Sequence, residues 1–327
     1  MQRIYIHDVV ARDGLQIEPQ FIPTEQKIEL IDRLSGTGIA KIEATSFVSP
    51  KAVPNLSDAE AVMAGIRRNP DVTYVALVPN ARGAERAMGA NVDEIVLVVS
   101  VSETHNRANV RRSVAQSFDG FRDVFDVVRG SRIGVIGALA TSFGCPFEGA
   151  IPEEQVEDAV ARYVELGVAG VTLADTTGMA NPRQVEALVR RVRKRWPDLE
   201  LALHFHNTRG MGLANVLAGL AAGVVRYEAT LGGLGGCPFA PGATGNICTE
   251  DLVHMLQAMG YDTGVDLDKL LAVSRRLGEI VAHDLPGQVV KAGKSTDLHP
   301  IPRELETLSS FDVAQHRPFD VAQGRPR

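Results

Sequence analysis

Eight times along the chain, a short run of β-branched and apolar residues gives way to a stretch where apolar positions return every three or four residues. The runs lie at 4–10, 41–47, 72–79, 94–100, 132–140, 170–176, 201–207 and 226–231. A continuous apolar run bounded by turn residues predicts a strand buried on both faces. The longer repeat predicts an amphipathic helix. Helix starts carry chemical marks. Thr24, in Pro23-Thr24-Glu25, is placed to cap the first helix. Pro152-Glu153-Glu154 sets acidic residues in the first turn of another, and Asn181-Pro182 puts proline at the first position of a third. Glycines mark the ends, at Gly36 and Gly38, Gly89, Gly167 and Gly223.

Alternating strands and helices predict an α/β fold with a parallel sheet, either closed into a (β/α)8 TIM barrel or open and doubly wound. Eight short runs of similar length favour the barrel. So does the position of the reactive side chains, which follow strand C-terminal ends from Asp13 to Asn246. In a barrel those ends share one face, whereas in an open sheet the first and last lie apart. The expected organisation is a TIM-barrel catalytic domain over 1–285, a C-terminal extension over 286–309 and a tail over 310–327. The tail carries two copies of Phe-Asp-Val-Ala-Gln-x-Arg-Pro, too few for a solenoid, and is expected to be disordered.

Composition narrows the function. The 327 residues are 45% hydrophobic and 23% charged, with a net charge of −6, which suits a globular protein and argues against a basic nucleic-acid-binding face. The run Arg191-Val192-Arg193-Lys194-Arg195 reads as a solvated helix face. Three cysteines make no disulfide framework, the N-terminus enters a strand without a signal peptide, and no stretch approaches about 18 apolar residues. A cytoplasmic protein without membrane or nucleic-acid partners is expected.

The chemistry begins at His204-Phe205-His206. Residues two apart on a strand point to one face, so two imidazoles there can share a ligand. Asp13, after the first strand, and Asn246, after the last, can complete a metal sphere. Glu43 sits mid-strand, where a carboxylate must be paired or coordinated; Arg12 and Lys41 are its candidate partners in a plain ion pair. Two histidines with oxygen donors suit Mg2+ or Mn2+, and also resemble non-haem Fe(II) and Zn2+ sites. The segment Gly232–Asn246 is dense in glycine but lacks P-loop and dinucleotide spacing, so it reads as a hinge-bearing loop. Cys237 within it is a candidate acid/base group, whereas Cys145 and Cys248 read as packing thiols. Arg12 can hold an enolate oxygen or pair with Glu43 or Asp175. Asp175 can orient a ligand histidine.

Together, Arg12-Asp13-Gly14-Leu15-Gln16, Ile42-Glu43-Ala44-Thr45-Ser46-Phe47, Gly144-Cys145-Pro146-Phe147, Asp175-Thr176, His204-x-His206 and Gly233-Leu234-Gly235-Gly236-Cys237-Pro238 resemble the 3-hydroxy-3-methylglutaryl-CoA lyase family over roughly residues 4–285. The resemblance implies retro-Claisen cleavage of a 3-hydroxyacyl-CoA by a homodimer using Mg2+ or Mn2+. It assigns Asp13, His204 and His206 to the metal with Asn246 in or beside the sphere, and Glu43 as support. Arg12 would neutralise the enolate, Cys237 would move its proton, and Asp175 would assist near the metal. Two places depart from the family pattern. Ile136-Gly137-Ala138 replaces Arg-Gly-Tyr, and Asn207-Thr208-Arg209 replaces Asp-Thr-aromatic. These point to a related thioester such as citramalyl-CoA as the alternative substrate, with Arg209 supplying a carboxylate contact. Two other classes compete. A condensing acyltransferase is expected to carry a further regulatory domain, for which little chain remains after about residue 285. A barrel that only binds CoA would not need the Asp13, His204, His206 and Cys237 set.

Overall fold

Each of the eight apolar runs forms a strand: β1 (Tyr5–Asp8), β2 (Lys41–Ser46), β3 (Thr73–Leu77), β4 (Glu94–Ser100), β5 (Gly134–Ala140), β6 (Gly170–Asp175), β7 (Glu200–Phe205) and β8 (Arg226–Ala229). They pair in parallel, in chain order, and β8 returns to β1 to close a barrel, so the fold is a (β/α)8 TIM barrel rather than an open sheet. The structure is a computed structural model that describes residues 1–236 and 245–300 and the backbone of 319–320 and 325–326. It falls into two compact units, Met1–Ala292 and Gly293–Arg327. In the second, Phe319–Asp320 pairs antiparallel with Arg325–Pro326; the remainder of the tandem repeat lies outside the described residues.

Helices cover the strands: α1 (Thr24–Ser35), α2 (Ala59–Gly65), α3 (Ala81–Gly89), α4 (Glu103–Val110), α5 (Val114–Val128), α6 (Glu153–Leu166), α7 (Pro182–Arg195) and α8 (Gly212–Ala221), then α9 (Thr249–Ala258), α10 (Leu267–Val281) and α11 (Val289–Ala292). The capping marks mostly act as expected. Asn181 accepts the Gln184 N–H with Pro182 behind it, and Gly167 ends α6 at φ +90°. Thr24 does not cap α1. It is the first helical residue, after an extended Pro23, and its hydroxyl donates to Asp58 Oδ2 at 2.8 Å. Asp58 also takes the Lys27 ammonium, so that threonine ties α1 to the start of α2.

The inward faces decide what the barrel can hold. At the N-terminal end, Lys41 pairs with Glu94 (2.6 Å) and Glu200 (3.4 Å), and Arg226 pairs with Glu200 (3.0 Å), forming a charged floor. Above it many TIM barrels stack bulky branched residues. Here Ala138, Gly170, Ala174 and Ala202 take inward positions, and a cavity of about 1020 Å³ runs from Asp13 and His204 down to Lys41 and Glu94.

On the outer face of β5, Gly137 lies under the ring of Tyr163, which is wedged between Phe118 and Phe121. A Cβ at Gly137 would stand 2.6 Å from the ring. Gly137→Ala should therefore destabilise the fold by about 1–3 kcal/mol. The check is a fall in the denaturant midpoint at unchanged slope; an unchanged midpoint would show that the ring moves aside freely.

Candidate active site

Asp8 closes β1, and the chain then makes a single π-helical turn, Val10–Gly14. The Val9 carbonyl accepts N–H groups from Arg12, Asp13 and Gly14 at 3.2, 2.7 and 3.4 Å, which sets Arg12 and Asp13 side by side over the barrel mouth. Such turns are rare and cluster at functional sites. Asp8 fastens this one. Its carboxylate accepts the Val10 N–H (2.9 Å) and the Thr249 hydroxyl (2.6 Å), and burial pushes its pKa up to about 7.

His204 is the penultimate residue of β7 and His206 comes just after the strand, both buried, with ring centroids 5.2 Å apart. Asp13 Oδ2 is 3.9 Å from His206 Nε2, and one ligand atom each from Asp13, His204 and His206 all lie within 4.8 Å of one another. Asn246, bridged to His206, donates its amide to Asp13 Oδ2 at 2.7 Å and to the Leu234 carbonyl at 3.0 Å. Its Oδ1 is buried with no partner among the described residues. Three converging ligand atoms and a spare oxygen fit a divalent cation.

The charges around this point hold one another. Arg12 bridges Asp13 Oδ1 and Glu43 Oε2, at 2.8 Å each, so its partner is Glu43 and not Asp175. Burial alone would raise the Asp13 carboxyl; Arg12, the two imidazoles and the Asn246 amide outweigh it and hold the pKa below the ordinary range. Glu43 goes the other way, pushed up to about 7 by burial and the nearby Glu228 charge against the pull of Arg12. The β2–β3 ladder shifts register between Glu43 and Thr45. Lys41, the other expected partner, belongs to the floor.

His204 Nδ1 meets Glu228 Oε2 at 3.0 Å, and the Thr172 hydroxyl holds the other Glu228 oxygen at 2.8 Å. Burial disfavours the charged imidazole, but the hydrogen bond and charge of Glu228 prevail and raise the His204 pKa. Sequence reasoning missed Glu228. Its signal was the one that singled out Glu43: a carboxylate at an inward strand position. Asp175 accepts the Met179 and Ala180 N–H groups at 2.8 and 3.0 Å and braces the turn after β6, with its pKa raised to about 6 by burial.

Cys145 and Cys248 are buried thiols. Cys237 lies outside the described residues, as does most of its loop. The described approach to it includes Gly235 at φ +92°, where a Cβ would meet the Asn246 amide at 2.8 Å and Asp13 Oδ2 at 3.2 Å. Glycine is required there for close passage over the site. Ile136 and Ala138 line the cavity. Arg209 Nη1 donates to the Thr177 and Gly178 carbonyls, and Asn207 accepts the Gly212 N–H at the start of α8.

The profile of the HMGL-like family matches residues 3–277. The hydroxymethylglutaryl-CoA lyase YngG of Bacillus subtilis (strain 168) is 43% identical over 295 residues, covering 90% of this chain and 99% of that protein. The (R)-citramalyl-CoA lyase of Chloroflexus aurantiacus is 42% identical, covering 90% and 96%. An HMG-CoA lyase from A. baumannii, solved with coenzyme A and 3-methylmalate, superposes with TM-score 0.88 at 55% identity, covering 91% of this chain and 98% of that one.

The Glu228 contact yields a direct test. Glu228→Gln keeps the volume but removes the charge that orients and polarises His204, so Mn2+ affinity should fall by about 10–100-fold. Calorimetric titration of the folded variant reads this, and unaltered affinity would mean that His204 needs no such partner.

Proposed function

The chain belongs to the HMGL-like family, and from that premise we propose that it is a divalent-metal-dependent carbon–carbon lyase that splits 3-hydroxy-3-methylglutaryl-CoA into acetyl-CoA and acetoacetate. One arrangement supports this above all: Asp13, His204 and His206 turn their ligand atoms to one buried point, in the cavity that Arg12 also lines. The outer cavity includes Lys51, Arg111 and Arg112, which suit the phosphates of a CoA thioester.

Asp13, His204 and His206 would hold the cation, with Asn246 Oδ1 as a further donor and Glu43 behind them. The oxygen-rich set suits Mg2+ or Mn2+. A cation there supplies the Lewis acidity that makes a 3-hydroxyl easier to ionise. The chain's own residues supply the rest. Cleavage breaks the C2–C3 bond; the hydroxyl oxygen becomes a ketone and loses its proton, and the thioester enolate gains one at C2. Arg12 has its terminal nitrogens fixed by Asp13 and Glu43, while its Nε–H is buried and has no partner among the described residues. A preorganised donor facing the enolate oxygen is worth about 3 kcal/mol. Glu43, with Oε1 unpartnered and a pKa near 7, can hold the departing proton. Cys237 is proposed to return one. Asp175 is proposed to assist by fixing the turn beside His206.

A second substrate has its own support. Ile136 and Ala138 leave the β5 wall without the Arg and Tyr of the family pattern, and a relative is named for (R)-citramalyl-CoA. The proposed assembly is a cytoplasmic homodimer. Among the described residues no helix is long and apolar enough to cross a membrane.

Incubating the protein and Mg2+ with 3-hydroxy-3-methylglutaryl-CoA and citramalyl-CoA, and following acetyl-CoA, tests the activity; silence on both would end the lyase reading. Asp13→Asn should abolish Mn2+ binding and lower kcat by at least about a thousandfold. Full metal-dependent turnover in that variant would move the centre elsewhere. Cys237→Ser should bind metal normally yet lose about 100-fold in kcat, the usual weight of an acid/base group. Unchanged kcat would remove Cys237 from the chemistry.

A further inference from the structure

The mouth of the cavity is polar, but its interior on one side is not. On β3, β4 and β5 the inward residues Val75, Leu77, Val96, Val98, Ile136 and Ala138 are all aliphatic, and all line the cavity. Most polar groups stand on the other strands, β1, β2, β6, β7 and β8; Glu94, at the foot of β4, is tied into the floor by Lys41. Strand register ties this wall to the reaction centre. Ala138 pairs with Thr172 and Thr172 with Ala202, one inward row below Ala174 and His204. Thr172 is also the residue that holds Glu228 behind His204.

Depth follows from the strands. From His204 to Glu200, β7 advances about 13 Å, at about 3.3 Å per residue, and the cavity lines up with both ends of that span. The void stays open because Ala138, Gly170 and Ala202 have little or no side chain. At the bottom, Lys41 and Arg226 are already neutralised by Glu94 and Glu200, so no spare cation waits there for an acid group.

We infer that this aliphatic chamber below the metal centre takes the C3 substituent of the substrate, and that the substrate class is 3-hydroxyacyl-CoA thioesters bearing an alkyl chain longer than methyl at C3. The inference rests on the lyase reading and specifies its acyl group. A carboxylate on the same substrate stays at the mouth, beside Arg12 and the metal ligands, where charge is matched. An alkyl chain gains by leaving water for an apolar wall, whereas a carboxylate sent into the chamber would lose its hydration without a partner. The reaction is the same C2–C3 cleavage. The hydroxyl proton leaves, one proton is added to the enolate carbon, and the products are acetyl-CoA and a 3-ketoacid that keeps the alkyl chain.

The test is a series of 3-hydroxy-3-alkylglutaryl-CoA thioesters with methyl, propyl and pentyl at C3, given to the full chain with Mn2+ while acetyl-CoA is followed. The expected result is a kcat/KM that rises at least about tenfold from methyl to pentyl, since each methylene in an apolar pocket adds several-fold. Cleavage of the methyl compound with flat or falling kcat/KM along the series overturns the inference and leaves the lyase reading standing. Cleavage of none overturns both. Ala138→Phe and, from the opposite side, Ala202→Leu fill the chamber. Either should lower the pentyl-to-methyl ratio at least about tenfold, and an unchanged ratio in a variant with wild-type circular dichroism also overturns it. The wild-type series decides by itself if neither variant folds.

Discussion

A single guanidinium governs the mouth of this barrel. Arg12 is largely buried and divides its terminal nitrogens between Asp13 and Glu43. Glu228 stands close enough to raise the pKa of Glu43, so three carboxylates share a small volume removed from water. Like charges at this density are unstable alone, because each loses hydration and repels the others. Arg12 offsets one charge and the histidines part of another. What remains is an excess of negative charge around the point where Asp13, His204 and His206 converge, which a divalent cation would neutralise. The proposed metal affinity, the depressed pKa of Asp13 and the proposed enolate contact of Arg12 are therefore aspects of one charge balance. Altering any member shifts the others.

The rest of the molecule keeps that balance rigid. The π-turn after β1 exists because three N–H groups crowd onto the Val9 carbonyl, and buried Asp8 pins it to α9 through Thr249. Thr141, just past β5, sits at φ +58° although it is β-branched and fully buried. A residue in that conformation costs about 1–3 kcal/mol and persists only where its surroundings fix it. Thr141 is fixed: its N–H donates to the Thr176 hydroxyl, and its own hydroxyl donates to Ala140 and accepts from Ser102. The strand ends on the catalytic face are thus cross-tied to their neighbours, which suits a site built from residues that are distant in the chain.

Much of this was legible in the sequence, for identifiable reasons. Buried parallel strands write themselves as continuous apolar runs, so the eight strands and their order could be read. The His204-x-His206 spacing carries its own geometry, since two residues along a strand return to the same face. Asp13 stood out because a strand ended just before it. Glu228 carried the same signal as Glu43, but its partner was not legible, because which carboxylate meets His204 depends on how β7 and β8 register once the barrel closes. The bracing hydrogen bonds of Asp175 have the same origin: its carboxylate accepts the N–H groups of the turn that follows it. The tie of Arg209 Nη1 to two turn carbonyls was likewise invisible to side-chain patterning.

The interior of the barrel extends the argument from charge to shape. A TIM barrel whose inward layers were filled with branched residues would be more stable, since each empty space forfeits packing. Here the small residues Ala138, Gly170 and Ala202 concede that packing next to the reaction centre, and the concession is localised. The floor below is closed by Lys41 with Glu94 and Glu200, and the outside of β5 is packed so tightly that Gly137 lies against the Tyr163 ring. Loss of packing confined to one side of one cavity, between an intact floor and a crowded outer layer, is what a binding site costs a fold. It also separates two tasks that a smaller pocket would have to combine. The charged mouth handles the atoms that react, and the aliphatic wall discriminates among the groups that do not. Residues on β3 to β5 can therefore change which acyl chain is held without disturbing the Arg12, Asp13 and Glu43 balance.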